Sequence, residues 1–315
     1  MTDTTHPRPF RFGVQLATAA SATEWADLAR RAEELGYDSV MMPDHFGEQL
    51  APVPALMAAA DATTELKVGT LVFANDYKHP VVLAKEVATL DVLSGGRVEF
   101  GIGAGWMNTD YEQSGIEHDR AGVRIDRLAE SLEVLKAIFA GDTVDFTGEH
   151  YDVTGYRGFP KPVQTPHPPL LIGGGGKRIL TLAAQHADIV GINPKIASGQ
   201  VDTPTAQNGA ADRTDEKIEW VKAAAGDRYD DIELNMLVFA VVVTDDAAGT
   251  IEMLAPMFGL DPAEVSDYPL AWIGTEDEIV EALQARRERW DVSYLVVQQD
   301  AMETAAPIVA RLRGT

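Results

Sequence analysis

The chain has 315 residues, 45% of them hydrophobic and 24% charged, enough to bury one large core. With 26 Lys and Arg against 49 Asp and Glu, its formal charge of -23 argues against nucleic acid and anionic membrane surfaces as partners, since both demand clustered cations. The absence of cysteine excludes disulfides, thiolate metal sites and a Cys nucleophile.

In chain order, the opening MTDTTHPRPF holds no apolar signal core, and no run approaches the roughly 18 apolar residues of a membrane span, so the expected setting is cytoplasmic. Residues 10–17 (FRFGVQLA) predict a first strand. A helix follows over 23–35, where Trp25, Leu28, Ala29, Ala32 and Leu35 recur at helical spacing and Gly36 stops it. Residues 39–43 predict the second strand, ending at Asp44-His45, and 53–63 a small helix. Residues 66–74 (LKVGTLVFA) form a short apolar run with β-branched residues, as a strand buried on both faces should. Pro80 then opens a helix where its missing N–H is harmless, Leu83, Ala84, Val87 and Leu90 give it a core-facing stripe, and Gly95-Gly96 closes it. Residues 97–103 are the fourth strand, ending in GIGAGW, and 121–139 a long amphipathic helix with Leu128, Leu132, Leu135 and Ile138 inward.

Residues 141–169 are rich in Gly, Pro, Thr and aromatics, and TVDFTGEHYDV within them predicts an inserted hairpin. Strands five and six are expected at 170–173 and 189–192, a polar, mobile excursion at 193–213, and strands seven and eight at 233–243 and 294–297. This repetition of strand and helix favours a single α/β domain over 1–315, a (β/α)8 TIM barrel with insertions (about 141–169 and 193–213) at the C-terminal face of its strands.

Parallel strands joined by helices place ligand sites at the strand C-termini, which singles out Asn75, Gly103, Gly105 and Trp106. Asp44-His45 closes strand two. A cleft imidazole can exchange a proton near neutral pH and an adjacent carboxylate can fix its tautomer, although a loop His capping a helix has the same signature. In GGGGKR, residues 173–178, consecutive glycines let backbone N–H groups approach a phosphate closely, and the following helix N-terminus adds partial positive charge. Lys177 and Arg178 can supply full charges; the alternative is a tight turn alone. Gln15 and His79 are candidate pocket residues, their alternative readings being an inward polar residue at the end of the first strand and an N-terminal helix residue, and Trp272 in YPLAWIGT reads as a loop anchor. Strand one lacks the His pair of a metal-dependent hydrolase barrel, so no metal is expected.

The run HPVVLAKEVATLDVLSGGRVEFGIGAGW, with GYDSVMMPDHF before it and HDRAGVRIDRLAESLEVLK and PPLLIGGGGKRILTLAAQHADIVGIN after it, resembles the bacterial luciferase-like family of flavin and deazaflavin (coenzyme F420) oxidoreductases over roughly residues 10–195. The Asp-His pair after strand two and the NDYKHP turn are most similar to deazaflavin members. That resemblance implies an enzyme with coenzyme F420 as cofactor, FMN being the alternative, with His45 as acid/base beside the ring and Asp44 near it. It implies that Gly174, Gly175, Gly176 and Lys177 hold the cofactor phosphate. It also implies a non-prolyl cis peptide at Leu71-Val72 under the ring, with Asn75 hydrogen-bonding the ring's polar edge or serving as a simple turn residue. Trp106 stands where some sugar-phosphate dehydrogenases of the family carry an acidic residue, which favours a small apolar substrate with Trp106 as pocket wall; core packing is the other reading of Trp106. The expected chemistry is hydride transfer to or from a C=C, C=N or C=O/alcohol group, against the alternatives of an FMN-dependent monooxygenase or a non-catalytic flavin-binding member. Family members are often homodimers.

Overall fold

The computed structural model describes residues 7–141 and 143–315; residues 1–6, on which part of the cytoplasmic expectation falls, lie outside the described residues. Eight parallel strands close a barrel: β1 (Arg11–Gln15), β2 (Ser39–Met42), β3 (Lys67–Thr70), β4 (Val98–Gly103), β5 (Leu170–Gly174), β6 (Ile189–Ile192), β7 (Glu233–Leu237) and β8 (Val292–Gln298). Each pairs with its neighbours in sequence, and β8 pairs with β1, so no edge is left. Among the described residues no helix is long and apolar enough to cross a membrane.

Strand periodicity divides the core in two. Phe12 and Val14 of β1 point outward to join the large cluster between sheet and helices, while Met41, Leu71, Leu171, Ile189, Tyr294 and Val296 fill the barrel interior. Burying each aliphatic side chain of this kind contributes about 1.5–3 kcal/mol. Trp272, expected to anchor a loop, instead sits on a strand, Ala271–Gly274, is 1% exposed and packs edge-on against Phe12.

The join between β3 and β4 depends on missing side chains. A Cβ on Gly69 would lie 2.3 Å from the Glu99 carbonyl oxygen, and one on Gly101 1.8 Å from that of Thr70. The expected strand over 66–74 is interrupted at the Leu71-Val72 peptide, which is cis, and resumes as Phe73–Ala74. The expected strand over 233–243 also divides. Its first half is β7, whereas Ala240–Val243 leaves the barrel and pairs in parallel with Ala271–Gly274 in a separate two-stranded ribbon. Within 193–213, residues 193–202 run without helix or strand along the C-terminal strand ends, and a short helix, Thr203–Gln207, capped by Asp202, and the start of a longer one, Ala211–Ala225, follow. The hairpin is present as Thr143–Thr147 paired antiparallel with Asp152–Arg157.

Candidate active site

The C-terminal strand ends open on a cavity of about 1360 Å³. A pocket for one drug-sized ligand is roughly 300–1,000 Å³, so this one has room for a cofactor and a substrate together. Its floor is the Leu71-Val72 peptide, with Gln15 Nε2 donating to the Leu71 carbonyl oxygen at 3.2 Å. Gly103 lets this floor approach β4, since a Cβ there would lie 2.7 Å from Val72 Cγ2. Gly105 has φ +75°, a left-handed value that glycine adopts freely, and a Cβ on it would meet the Tyr111 hydroxyl at 2.0 Å.

On one wall His45 sits just past β2, with its ring edge-on to Trp106 at 5.3 Å. Trp106 therefore lines the cavity and is half-buried, the pocket-wall alternative of its two readings. The carboxylate on His45 is Asp110, not the adjacent Asp44: His45 Nδ1 lies 2.6 Å from Asp110 Oδ2. Asp110 also accepts from the Tyr77 hydroxyl at 2.9 Å and from the Phe46 backbone N–H at 3.1 Å. Burial, the phenol's hydrogen bond to Asp110 and the carboxylate charge all push the Tyr77 pKa up, so Tyr77 stays a neutral donor. Asp44 lines the cavity too, but its side chain turns to the Ala74 N–H at 3.2 Å. Burial raises the pKa of Asp44 against the pull of that N–H, Lys78 and His45.

Opposite, Gly173, Gly174, Gly175 and Gly176 pass along the cavity into the helix Lys177–His186. That helix has no side-chain N-cap, so its first-turn N–H groups are free for an anion. Gly175 is pressed against the next loop, where a Cβ would lie 2.3 Å from the Pro194 carbonyl carbon, while a Cβ on Gly176 would meet open space. The Lys177 side chain is exposed and is not among the residues lining the cavity, while its backbone N–H belongs to that first turn. Arg178 pairs with Asp126 on the outer surface. Among the described residues, Arg120 and Lys195, from the loops after β4 and β6, and Arg124, in the first turn of the helix Ala121–Ala140, bring Arg and Lys side chains to the cavity. Of these, Arg124 is spent on the carbonyls of Ala104, Asp119 and Gly105 and shapes the loop.

Two further candidates, Asn75 and His79, take the other of their two readings, a turn residue and an N-terminal helix residue. Asn75 is buried away from the cavity, its amide donating to the Tyr151 hydroxyl at 3.1 Å. His79 caps the helix Pro80–Leu93, accepting from the Val81 N–H, and stacks edge-on with Tyr151, also outside the cavity. The residues that sequence reasoning missed are Asp110, Tyr77, Arg120 and Lys195. None of them lies at an apolar strand end, and only the fold brings Asp110 to a histidine 65 positions away.

The chain matches the family described as Luciferase-like monooxygenase over residues 8–294. It is 31% identical to the F420-dependent glucose-6-phosphate dehydrogenase of Amycolatopsis mediterranei (strain U-32) over 170 residues, 51% of this chain and 50% of that one. It is 28% identical over 215 residues to the FMNH(2)-dependent dimethylsulfone monooxygenase of Pseudomonas putida, covering 63% and 58% of the two chains. The chain thus spans about half the length of the curated relatives it matches. Among solved structures, the coenzyme F420 dependent tetrahydromethanopterin reductase from Methanopyrus kandleri superposes with a TM-score of 0.76 over 97% of this chain and 100% of that one, at 18% identity. At that identity the likeness speaks for the fold.

Proposed function

The chain belongs to the luciferase-like monooxygenase family, and from that premise we propose that it is an oxidoreductase moving a hydride between coenzyme F420 and a small apolar substrate, with His45 handling the proton. The observation that carries this reading is the imidazole itself. His45 lines the cavity with Nδ1 engaged by Asp110, which leaves Nε2 for a reacting molecule.

The residues present fit the cofactor. Gly174, Gly175, Gly176 and the bare helix N-terminus would hold its phosphate, and Leu71, Val72 and Gly103 would lie under its ring. When bound, a deazaflavin supplies or accepts a hydride at a ring carbon. His45 then takes the proton of a substrate alcohol at Nε2, or in the reverse direction gives one to a reduced C=C, C=N or C=O carbon or heteroatom. Trp106, Leu237, Phe239, Met257 and Phe258 line the remaining volume and supply the apolar walls that orient substrate and exclude water. The named activities of the F420-dependent relatives support the choice of cofactor.

Fluorescence titration of the purified protein with F420 and with FMN tests it. Tight FMN binding with none for F420 would replace this reading with a flavin-dependent one, for which the Pseudomonas putida relative is the precedent. His45→Ala is expected to lower turnover by about 10²–10⁴-fold, the usual weight of a general acid or base, with cofactor Kd nearly unchanged. An unaltered rate would remove His45 from the chemistry.

A further inference from the structure

His45 has a second face, and its geometry is fully specified. Asp110 is 3% exposed and receives three donors, His45 Nδ1 and the Tyr77 hydroxyl on Oδ2 and the Phe46 N–H on Oδ1. The donors come from the segments after β2 and β3 and Asp110 from the short helix Asn108–Ser114 after β4, so three separate segments converge on one buried carboxylate. An ionised carboxylate only accepts, so the proton of a neutral His45 belongs on Nδ1 and the lone pair on Nε2.

We propose that Asp110 is the positioning residue that holds His45 as the Nδ1–H tautomer, so that Nε2 presents a lone pair to the cavity and serves as proton acceptor. This rests on the reading of His45 as the proton-handling group. A carboxylate that merely tied the three loops together would accept the same hydrogen bonds, and the two roles separate on substitution.

Asp110→Asn keeps the shape but puts a donor on one side of the group. The Phe46 N–H can only donate, so the amide oxygen turns to it and the NH₂ faces His45. Nδ1 must then accept, and the ring proton moves to Nε2. A structural tie has no stake in that inversion, because the loops stay bridged. Proton abstraction does, since Nε2 loses its lone pair.

Heteronuclear NMR of the ring nitrogens at alkaline pH, assigned with His45→Gln, reads the tautomer without any cofactor. The expected result is Nδ1–H in the native protein and Nε2–H in Asp110→Asn. Turnover in the alcohol-oxidising direction, with whichever cofactor the titration identifies, should fall by about 10²-fold or more in kcat, with KM and cofactor Kd within a few-fold. Tyr77→Phe removes a donor but not the acceptor, so it should keep the native tautomer and lose less than about tenfold in kcat. Nε2–H in the native protein overturns the proposal even if Asp110→Asn does not fold. The same tautomer in both proteins, or an inverted tautomer with unchanged kcat, overturns it as well. If His45→Gln itself leaves turnover intact, the proton-handling reading fails, whatever the tautomer.

Discussion

At the scale of single residues, the tetraglycine turn sorts itself by what surrounds each Cα. Gly175 sits against backbone, and a methyl there would have to move the Pro194-Lys195 segment. Gly176 faces open space with φ -109°, a conformation any residue adopts. Gly175→Ala is therefore expected to lower the stability of the protein, by about 1–3 kcal/mol as overpacking does. Gly176→Ala should cost no more than about 1 kcal/mol of unfolding free energy, the loss expected for Ala at an N-cap, and should weaken F420 binding by roughly tenfold (about 1.4 kcal/mol), because its methyl occupies the space an anion needs. Equal affinity for Gly176→Ala and the native chain would move the phosphate site elsewhere. This part of the cavity lining was legible, since glycines in series and a His at a strand end are local signals. Asp110 was not, being one of 49 acidic residues in a stretch, NTDYEQS, without apolar periodicity. Lys177 shows what adjacency alone leaves open: it opens the helix beside the glycines, yet its side chain is exposed and is not part of the cavity lining.

At the scale of elements, the strands were readable wherever both faces are buried, because an apolar run of four to six residues has few other homes. The breaks were not. Leu71-Val72 continues the apolar pattern of β3, and Val238-Phe239 that of β7, so nothing local marks where the chain leaves the ladder. At β3 the break falls directly after Thr70, where β4 approaches closely through Gly101. The helix Glu276–Trp290 was absent from the expected elements although its start is written locally. Thr275 accepts from the Glu278 N–H while Glu278 accepts from the Thr275 N–H at 2.8 Å, a capping box. Thr275→Ala should cost about 1 kcal/mol in urea unfolding. It should leave cofactor Kd unchanged, because this helix contributes no side chain to the cavity. A shift in Kd would mean that the outer helix layer sets the geometry of the strand ends more directly than the packing suggests.

At the scale of the molecule, the two ends of the barrel have opposite chemistry. The C-terminal end is open and glycine-rich, whereas the N-terminal end is closed by a buried charge cluster. Glu99 is 1% exposed, and its carboxylate meets Arg11 at 2.5 Å, Lys67 at 3.2 Å and the Tyr294 hydroxyl at 3.0 Å. Arg11 also pairs with Glu233 at 2.7 Å and lies 3.9 Å over the Tyr294 ring, so β1, β3, β4, β7 and β8 are tied at one level. Burial alone would push the Glu99 pKa up, but Arg11, Lys67 and Tyr294 outweigh it and hold it below the usual glutamate range. A carboxyl whose folded pKa is depressed contributes stability that is fully present above its unfolded value, about 4.3, and is lost as pH falls through the folded value. Glu99→Gln should therefore be less stable than the native chain at neutral pH, by about 3 kcal/mol, the lower end for breaking a buried pair because Arg11 keeps Glu233. The difference should shrink towards zero as pH drops well below about 4. Urea unfolding of both proteins across that range isolates Glu99 from the other acidic groups, which titrate alike in the two. A difference that stays constant with pH would show that the shape of the side chain, and not its charge, closes the floor of the barrel.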